Sequence, residues 1–279
     1  MHDKNPFNNG YDFTILAAIN STLKKSIYIN KYGNKTIDFS NASSVKALNQ
    51  ALLKSHYDLD WDIPKENLCP PIPGRLEYLL HIAGLFQKKD VQLLDIGTGA
   101  SLIYPVLGTA HFKWKCTGSE TERASIEHAK KIIKKNAKLN SIAIRSQQNK
   151  DHILNGIIEE NDAFDVLVCN PPFYKNEAEA SKQNRRKTNH IKSATQGRNF
   201  SGVANELWYP GGESQFIETL ISESIRFKKQ INWFTTLVAN EDHLKPLVKS
   251  IKKTKPRALK IIPLILGNKK SRILAWCFN

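Results

Sequence analysis

The chain has 279 residues, 41% of them hydrophobic, which is enough for one large α/β domain or for one domain with an extension. With 41 basic and 26 acidic residues it carries a net charge of +15, which favours a polyanionic partner such as nucleic acid. No apolar run is long enough to span a membrane and the N-terminus has no apolar leader, so we expect a cytoplasmic protein.

The first part of the chain is mixed and polar. Residues 1–70 are predicted to be an N-terminal extension with a helix at 44–57, and we regard this extension as a candidate RNA-binding element. The stretch CPPIPGR at 69–75 interrupts any helix, because it holds three prolines and a glycine. Apolar residues at helical spacing then predict a helix over 75–86.

From about residue 91 predicted strands and helices alternate. We predict strands at 91–96, 112–120, 141–147, 163–170, 230–238, 257–266 and 271–278, and helices at 122–139, 211–227 and 243–254. This order indicates an α/β fold of the Rossmann-like type, with a mostly parallel twisted sheet and helices on both faces. The hairpin-like link before the last strand predicts that this strand is antiparallel. The domain would span 71–279 and include a basic loop at 175–210.

The first strand of this domain runs into the loop LLDIGTGAS, which ends a strand and begins a helix. Its two glycines, Gly97 and Gly99, permit positive φ angles and let a ligand lie against bare backbone, with Ser101 beside them. The second strand ends at Glu120, whose paired carboxylate oxygens suit the two ribose hydroxyls of an adenosine. Two simpler interpretations are a Rossmann-like turn without a cofactor and a helix-capping role for the acidic residues.

The kind of adenosine cofactor follows from the loop. NAD carries a pyrophosphate that prefers the full Gly-x-Gly-x-x-Gly pattern, and the third glycine is missing from this chain. A methionine-linked adenosine has no phosphate and needs a wider turn with a carboxylate anchor, for which Asp95 is the candidate. The pattern therefore favours S-adenosylmethionine.

The fourth strand ends in the tetrad Asn170-Pro171-Pro172-Phe173. The amine of adenine is a poor nucleophile, because its lone pair is delocalised into the ring. The carboxamide oxygen of Asn170 and a backbone carbonyl held by the prolines would accept its two N–H groups and localise that lone pair. Phe173 would offer a ring face on which the base stacks. The alternative is a Pro-Pro strand terminator with a phenylalanine packed in the core.

With these motifs in order, the chain resembles a class I S-adenosylmethionine-dependent amino-methyltransferase. It is similar over essentially its whole length to the large-subunit ribosomal RNA methyltransferase F family. The stretches that carry this resemblance are YDFTILAAIN (11–20), IDFSNASSVKALNQALL (37–53), WDIPKENLCPPIPGR (61–75), LLDIGTGASLIYPVLG (93–108), FTTLV (234–238) and SRILAWCF (271–278). The resemblance implies N6-methylation of one adenine in bacterial 23S rRNA, position 1618 in the conventional numbering, on free rRNA or on a large-subunit assembly intermediate.

The resemblance also assigns residues. The cofactor site would comprise Arg75, Asp95, Gly97, Gly99, Ser101, Glu120, Gln148 and Asn170, and the catalytic tetrad would be Asn170, Pro171, Pro172 and Phe173. Gln148 follows the third strand and would contact the cofactor's adenine. Arg75 resembles a family arginine near the cofactor's carboxylate or the substrate, and its simpler interpretation is a surface charge at a helix start.

A basic segment follows the tetrad. Its candidate RNA-binding residues are Lys182, Arg185, Arg186, Lys187, Lys192 and Arg198, and residues 181–198 include no acidic residue. We predict a loop that holds RNA phosphates or covers the bound base. A solvated insertion without such a role is the alternative.

Three rival functions remain open from the sequence. The same tetrad can hold the side-chain amide of glutamine in a protein, although those enzymes usually have tyrosine where Phe173 stands. DNA adenine-N6 methylation is the same reaction on DNA in place of RNA, and only the resemblance to the RNA family favours RNA. A non-catalytic RNA-binding protein is less consistent with an intact tetrad and Glu120.

The four cysteines bear on metals and on redox environment. They are widely spaced and form no Cys-x-x-Cys pair, which argues against a zinc site and is typical of reduced thiols (Cys69, Cys116, Cys169 and Cys277). We therefore expect no bound metal. We also expect a monomer that does not bind a membrane.

Overall fold

The computed structural model describes residues 1–176, 178–179, 207–266 and 269–279. The helices are α1 (Phe13–Ile19), α2 (Ser21–Ser26), α3 (Ala42–Tyr57), α4 (Ile72–Ala83), α5 (Ile103–Phe112), α6 (Arg123–Lys135), α7 (Gly212–Ser224) and α8 (Leu244–Lys253). The strands are β1 (Ile27–Ile29), β2 (Lys35–Ile37), β3 (Gln92–Ile96), β4 (Lys115–Glu120), β5 (Ala143–Ser146), β6 (Phe164–Cys169), β7 (Ile231–Val238), β8 (Ala258–Leu266) and β9 (Lys269–Cys277).

Within the described residues, seven strands form one sheet in the order β5-β4-β3-β6-β7-β9-β8. The five strands from β5 to β7 are parallel, and β9 lies between β7 and β8, antiparallel to both. This confirms the predicted mostly parallel sheet with an antiparallel last strand. Strands β1 and β2 form a separate antiparallel pair within the N-terminal extension.

Two predicted elements begin in the wrong place. The second strand of the sheet was predicted from residue 112, yet α5 continues to Phe112 and β4 begins at Lys115. Lys113 ends the helix in the left-handed conformation at φ +63°, so two residues of the predicted strand reverse the chain instead. The helix predicted from residue 75 begins at Ile72, because the first turn of a helix tolerates Pro73.

Two apolar cores cover the two faces of the sheet. Successive side chains on a strand point to opposite faces, so Leu93 packs with one core and Leu94 with the other. On β6, Val166 belongs to the first core and Leu167 to the second. Both faces of these central strands are therefore buried, as expected where helices cover a parallel sheet on both sides.

The N-terminal extension packs onto the first core. Phe7, Leu23 and Trp61 are buried and belong to the same apolar cluster as Leu76 of α4. The buried Glu77 of α4 accepts a hydrogen bond of 2.7 Å from the Asn5 side chain. The extension therefore contacts the helix whose first turn carries Arg75.

No helix in the described part of the chain is long and apolar enough to cross a membrane. The described residues also contain no group of three or more histidine, cysteine, aspartate or glutamate side chains arranged to hold a metal ion. The four cysteines are free thiols, three of them buried.

Candidate active site

Three neighbouring strand ends bring the predicted motifs together. Strand β3 lies between β4 and β6, and Ile96 pairs with both Ser119 and Cys169. Each of these three residues immediately precedes a predicted motif. Ile96 precedes the Gly-x-Gly turn, Ser119 precedes Glu120, and Cys169 precedes Asn170. Neighbouring strands lie about 4.8 Å apart, so these groups share one short stretch of the sheet's carboxyl edge.

The turn after β3 has the geometry that its glycines predict. Gly97 and Gly99 have φ angles of +71° and +63°, which residues with a side chain rarely adopt. The backbone N–H groups of Gly97 and Thr98 donate to the Ser119 carbonyl at 3.0 and 2.9 Å and tie the turn to β4. A Cβ atom at Gly97 would meet no other atom within 4 Å, so this side of the turn is open to a ligand.

Glu120 organises the loops on both sides of it. Its Oε2 atom accepts from the Gly99 N–H at 2.9 Å, and its Oε1 accepts from the N–H groups of Thr121 and Glu122 at 2.7 and 3.0 Å. Glu122 is the residue before α6, and its side chain makes no capping hydrogen bond. Glu120 therefore holds the two residues that lead into the helix and does not cap the helix itself. Since Oε2 has one described partner and two lone pairs, it keeps an acceptor site for a ligand hydroxyl.

Asp95 is a buried carboxylate that has no hydrogen-bond partner among the described residues. Its side chain lies at the end of β3, and neither of its oxygens makes a hydrogen bond of ordinary geometry within the described residues. Burial raises the pKa of Asp95 from 3.8 to about 7, although the nearby Thr98 hydroxyl and Arg75 guanidinium act in the opposite direction. The Thr98 hydroxyl is likewise buried without a hydrogen bond. Such groups are costly unless a ligand completes them.

Arg75 contacts the asparagine of the tetrad. Its Nη1 donates to Asn170 Oδ1 at 2.9 Å and to Tyr104 Oη at 2.8 Å. The guanidinium also lies over the Tyr104 ring, 5.4 Å from its centroid, and its buried Nε has no hydrogen-bond partner in the described part of the chain. Arg75 is therefore half-buried and contacts the predicted tetrad, which favours a role in the candidate site over that of a surface charge.

A second tyrosine, Tyr78 of α4, supports the strand that leads to Asn170. The buried Tyr78 hydroxyl lies 2.8 Å from Thr235 Oγ1 and accepts from the Cys169 N–H at 3.4 Å. Thr235 donates in turn to the Leu167 carbonyl at 2.7 Å. These contacts were not predicted; their only sequence signals were a tyrosine on a helix with a largely apolar face and a threonine inside an apolar strand.

The backbone after the tetrad pairs with the chain that returns from the basic segment. The N–H groups of Phe173 and Tyr174 donate to the Leu207 carbonyl at 3.1 and 2.9 Å, and the Tyr209 N–H donates to the Tyr174 carbonyl at 3.0 Å. Pro171 is buried, whereas the flanking Asn170 and Phe173 are half-exposed. The tetrad is thus held at both ends, while the side chains of Asn170 and Phe173 stay partly exposed.

The remaining predicted residues are placed as follows. Ser101 is buried, and its carbonyl accepts from Trp61 Nε1 at 2.8 Å, which joins the cofactor loop to the N-terminal extension. Gln148 is exposed, and its side chain donates to Ser146 Oγ at 2.8 Å. The residue before it, Gln147, donates its backbone N–H to the Glu120 carbonyl at 2.9 Å. The predicted RNA-binding residues Lys182, Arg185, Arg186, Lys187, Lys192 and Arg198 lie outside the described residues.

Comparisons with known proteins agree in sequence and in fold. A ribosomal RNA large subunit methyltransferase F from Colwellia psychrerythraea is 44% identical over 297 aligned residues, which cover 100% of this chain and 99% of the relative. The corresponding protein from Bacteroides fragilis is 42% identical, with 100% and 98% covered.

Solved structures of human METTL16 are similar in fold. Its catalytic domain in complex with the MAT2A 3′UTR hairpin 1 superposes with a TM-score of 0.88 at 29% identity, covering 100% of this chain and 96% of that one. Its N-terminal domain in complex with SAH gives a TM-score of 0.79 at 26% identity, with 100% and 99% covered. The model of the RNA methyltransferase family matches residues 1–279, and the chain therefore belongs to this family of enzymes.

Proposed function

We propose that this enzyme transfers a methyl group from S-adenosylmethionine to the exocyclic N6 of one adenine in 23S rRNA. The observation that carries the proposal is the placement of the Asn170 carboxamide oxygen, oriented by Arg75, beside the Gly-x-Gly turn and Glu120. The names of the curated relatives support ribosomal RNA of the large subunit as the substrate. We further propose that the enzyme acts in the cytoplasm as a monomer, on free rRNA or on an assembly intermediate.

The residues of the site fit S-adenosylmethionine. The partnerless carboxylate of Asp95 suits the amino group of the methionine part, and the free acceptor site on Glu120 Oε2 suits a ribose hydroxyl. Arg75 Nε, which is buried and has no partner among the residues that the structure describes, suits the methionine carboxylate. When bound, the cofactor supplies a methyl group activated by a sulfonium.

A dinucleotide fits less well. In a Gly-x-Gly-x-x-Gly loop the third glycine permits close packing of helix and strand. Leu102 occupies that position here, with its buried side chain at φ +51° immediately before α5. A leucine side chain that packs in the apolar core therefore stands where the dinucleotide pattern requires a glycine.

The tetrad positions the amine rather than deprotonating it. Asn170 Oδ1 has two lone pairs, so it accepts from Arg75 and from one N–H of the target amine at the same time. Because the guanidinium can only donate, it keeps the carboxamide oxygen, and not its NH₂ group, in this position. A backbone carbonyl beside the two prolines accepts the second N–H, and Phe173 stacks on the base. The amine nitrogen loses its proton after the methyl group has been transferred, so no strong general base is required.

The substrate class is tested by labelling. The enzyme is incubated with methyl-labelled S-adenosylmethionine and, in separate reactions, with deproteinised 23S rRNA, large ribosomal subunits, adenine-rich DNA, or total protein freed of nucleic acid. We expect label in one of the two ribosomal substrates. Label confined to protein would indicate a glutamine methyltransferase, and label confined to DNA would indicate a DNA enzyme; either result would contradict the proposal.

Asp95 predicts a pH dependence of cofactor binding. The pKa of Asp95 is about 7 in the folded protein, against 3.8 for an ordinary aspartate, so Asp95 takes up a proton as pH falls through 7. Above pH 7 the buried carboxylate is ionised, which lowers the free energy of unfolding. A cationic amine favours the ionised form, so the Kd for S-adenosylmethionine should rise about tenfold between pH 8 and pH 6 in the wild type. The Asp95→Asn variant should bind more weakly at pH 8 and show a flatter profile. Parallel profiles for both proteins, measured by calorimetry, would contradict this role.

Arg75 is expected to act on turnover through Asn170. Lysine cannot reproduce the planar fork that joins Tyr104 and Asn170, so Arg75→Lys should lower kcat by about 10- to 100-fold. Tyr104→Phe keeps the ring under the guanidinium and should cost less than about fivefold. Equal kcat values for Arg75→Lys and the wild type at saturating RNA and cofactor would exclude the positioning role.

A further inference from the structure

Two buried hydroxyl groups lie where the strand that leads to Asn170 leaves the sheet. Strand β6 pairs with β3 as far as Cys169, but its pairing with β7 extends only to Leu167. The edge of β6 that faces β7 therefore parts from its neighbour just before the tetrad begins. The hydroxyls of Tyr78 and Thr235 lie at this point, and both side chains are completely buried.

The two hydroxyls form one directed path of hydrogen bonds. The Thr235 hydroxyl donates its single hydrogen to the Leu167 carbonyl at 2.7 Å. Towards the Tyr78 hydroxyl, 2.8 Å away, it can therefore only accept. The Tyr78 oxygen accepts in turn from the Cys169 N–H at 3.4 Å. The path thus begins and ends on β6, at an N–H and a carbonyl that are two residues apart and face the same edge of the strand.

The path provides partners for backbone groups that lie where β6 and β7 part. A buried N–H or carbonyl without a partner is costly, so the strand end would shift to find one if the hydroxyls were absent. Burial raises the pKa of Tyr78 well above its usual value of 10, so this hydroxyl stays protonated and remains a donor to Thr235. The backbone before Asn170 is therefore held by two side chains from other elements.

The helix that supplies Tyr78 also supplies Arg75. The two residues are three positions apart on α4 and so lie on the same face of the helix. Arg75 donates to Asn170 Oδ1 at 2.9 Å, and Tyr78 contacts the N–H of the residue before Asn170. The Tyr104 ring joins them, because it packs edge to face on Tyr78 at 5.4 Å and its hydroxyl accepts from Arg75 at 2.8 Å. One helix therefore holds both the side chain of Asn170 and the backbone that carries it.

We propose that Tyr78 and Thr235 are positioning residues for methyl transfer, whose hydroxyls hold the end of β6 so that the Asn170 carboxamide can accept from the target amine. They act through the backbone and not by contact with substrate or cofactor. The inference rests on the proposed function, because it assumes that Asn170 holds the amine. A misplacement of about 1 Å can cost about 100-fold in rate, so the loss of a hydroxyl behind the site should be visible in turnover.

The first test removes each hydroxyl while the side chain keeps its shape. Tyr78→Phe and Thr235→Val should each lower the single-turnover rate by about 10- to 30-fold, at saturating cofactor and with the ribosomal substrate that the wild type methylates. Calorimetry should give a Kd for S-adenosylmethionine within about twofold of the wild-type value. Thr235→Ser keeps the hydroxyl and should react like the wild type.

The double variant Tyr78→Phe/Thr235→Val shows whether the two hydroxyls act as one path. Each single variant breaks the same path, so the double variant should be slowed about as much as either single variant. Two independent contacts would instead multiply their effects, and a multiplied loss would contradict the path.

Ser224 offers a matched control for the loss of a buried hydroxyl. In the second core, its hydroxyl donates to the Ile221 carbonyl at 2.7 Å and accepts from Trp276 Nε1 at 3.2 Å. Ser224→Ala therefore also removes one donor and one acceptor from the interior. We expect it to lower the Tm as Tyr78→Phe does and to leave the single-turnover rate unchanged.

Three results would exclude the positioning role while the proposed function stands. They are wild-type rates in Tyr78→Phe and Thr235→Val, a Thr235→Ser protein as slow as Thr235→Val, and a Ser224→Ala protein slowed as much as Tyr78→Phe. All rates are measured below the lowest Tm of the set, so that every variant is folded. If the wild type forms no N6-methyladenosine in ribosomal RNA, the proposed function fails and this inference fails with it.

Discussion

The Asn170→Ala variant should lose methyl transfer by at least about a thousandfold while it binds S-adenosylmethionine nearly as well as the wild type. The substitution removes the oxygen that accepts from the target amine, and this interaction matters most when the lone pair is being localised for attack. It also leaves Arg75 without its partner at 2.9 Å, although Tyr104 still accepts from the same nitrogen. Single-turnover kinetics and calorimetry with the cofactor separate the two effects.

The control for this variant is Asn140→Ala, at an exposed asparagine on the opposite edge of the sheet. We expect it to keep wild-type kinetics. Full activity of Asn170→Ala would remove the base-holding role from the tetrad. A parallel loss of cofactor affinity would instead show that Asn170 belongs mainly to the cofactor site.

The second large effect is expected at Glu120. Glu120→Ala should weaken cofactor binding by about 100-fold or more, or about 2.7 kcal/mol. The variant loses the ribose acceptor and leaves the N–H groups of Gly99, Thr121 and Glu122 without their carboxylate. Glu120→Gln keeps one acceptor oxygen, so its affinity for the cofactor should lie between those of the wild type and Glu120→Ala.

Glu127→Ala is the matched control for Glu120, since this exposed glutamate of α6 pairs with Lys130 on the protein surface. Calorimetry with S-adenosylmethionine should give a wild-type Kd for the control. Thermal denaturation of both variants shows whether Glu120→Ala loses only its contact with the cofactor, which leaves the Tm unchanged, or also destabilises the loops around Glu120, which lowers the Tm. A Glu120→Ala protein that binds the cofactor as the control does would exclude the ribose contact.

The shared edge of the site was predictable from the sequence. Apolar runs before Gly97, Glu120 and Asn170 indicated strands, and helices between them required parallel pairing. Parallel strands place their carboxyl ends on one edge, so three local patterns were sufficient to bring the motifs together. The sheet order later showed that these strands are immediate neighbours.

The contacts between side chains were not predictable in the same way. Arg75 and Asn170 are 95 residues apart, and no periodic pattern links a helix start to a strand end at that distance. The three backbone donors on Glu120 depend on the path of two loops, which residue types alone do not determine. The antiparallel pair of β1 and β2 was missed because its strands have three residues each, too few for an alternating pattern to stand out.

The most direct measurement is the identity and stoichiometry of the product. 23S rRNA that lacks the modification, either deproteinised or within large-subunit assembly intermediates, is incubated with the enzyme and S-adenosylmethionine, digested to nucleosides and analysed by mass spectrometry. The arrangement of Asn170, Arg75 and Glu120 predicts N6-methyladenosine, and none with Asn170→Ala. The proposed substrate predicts one such residue per RNA molecule. A methyl group on another base or on the ribose would contradict the proposed clamp, and methyl groups at many adenines would contradict the proposed single target.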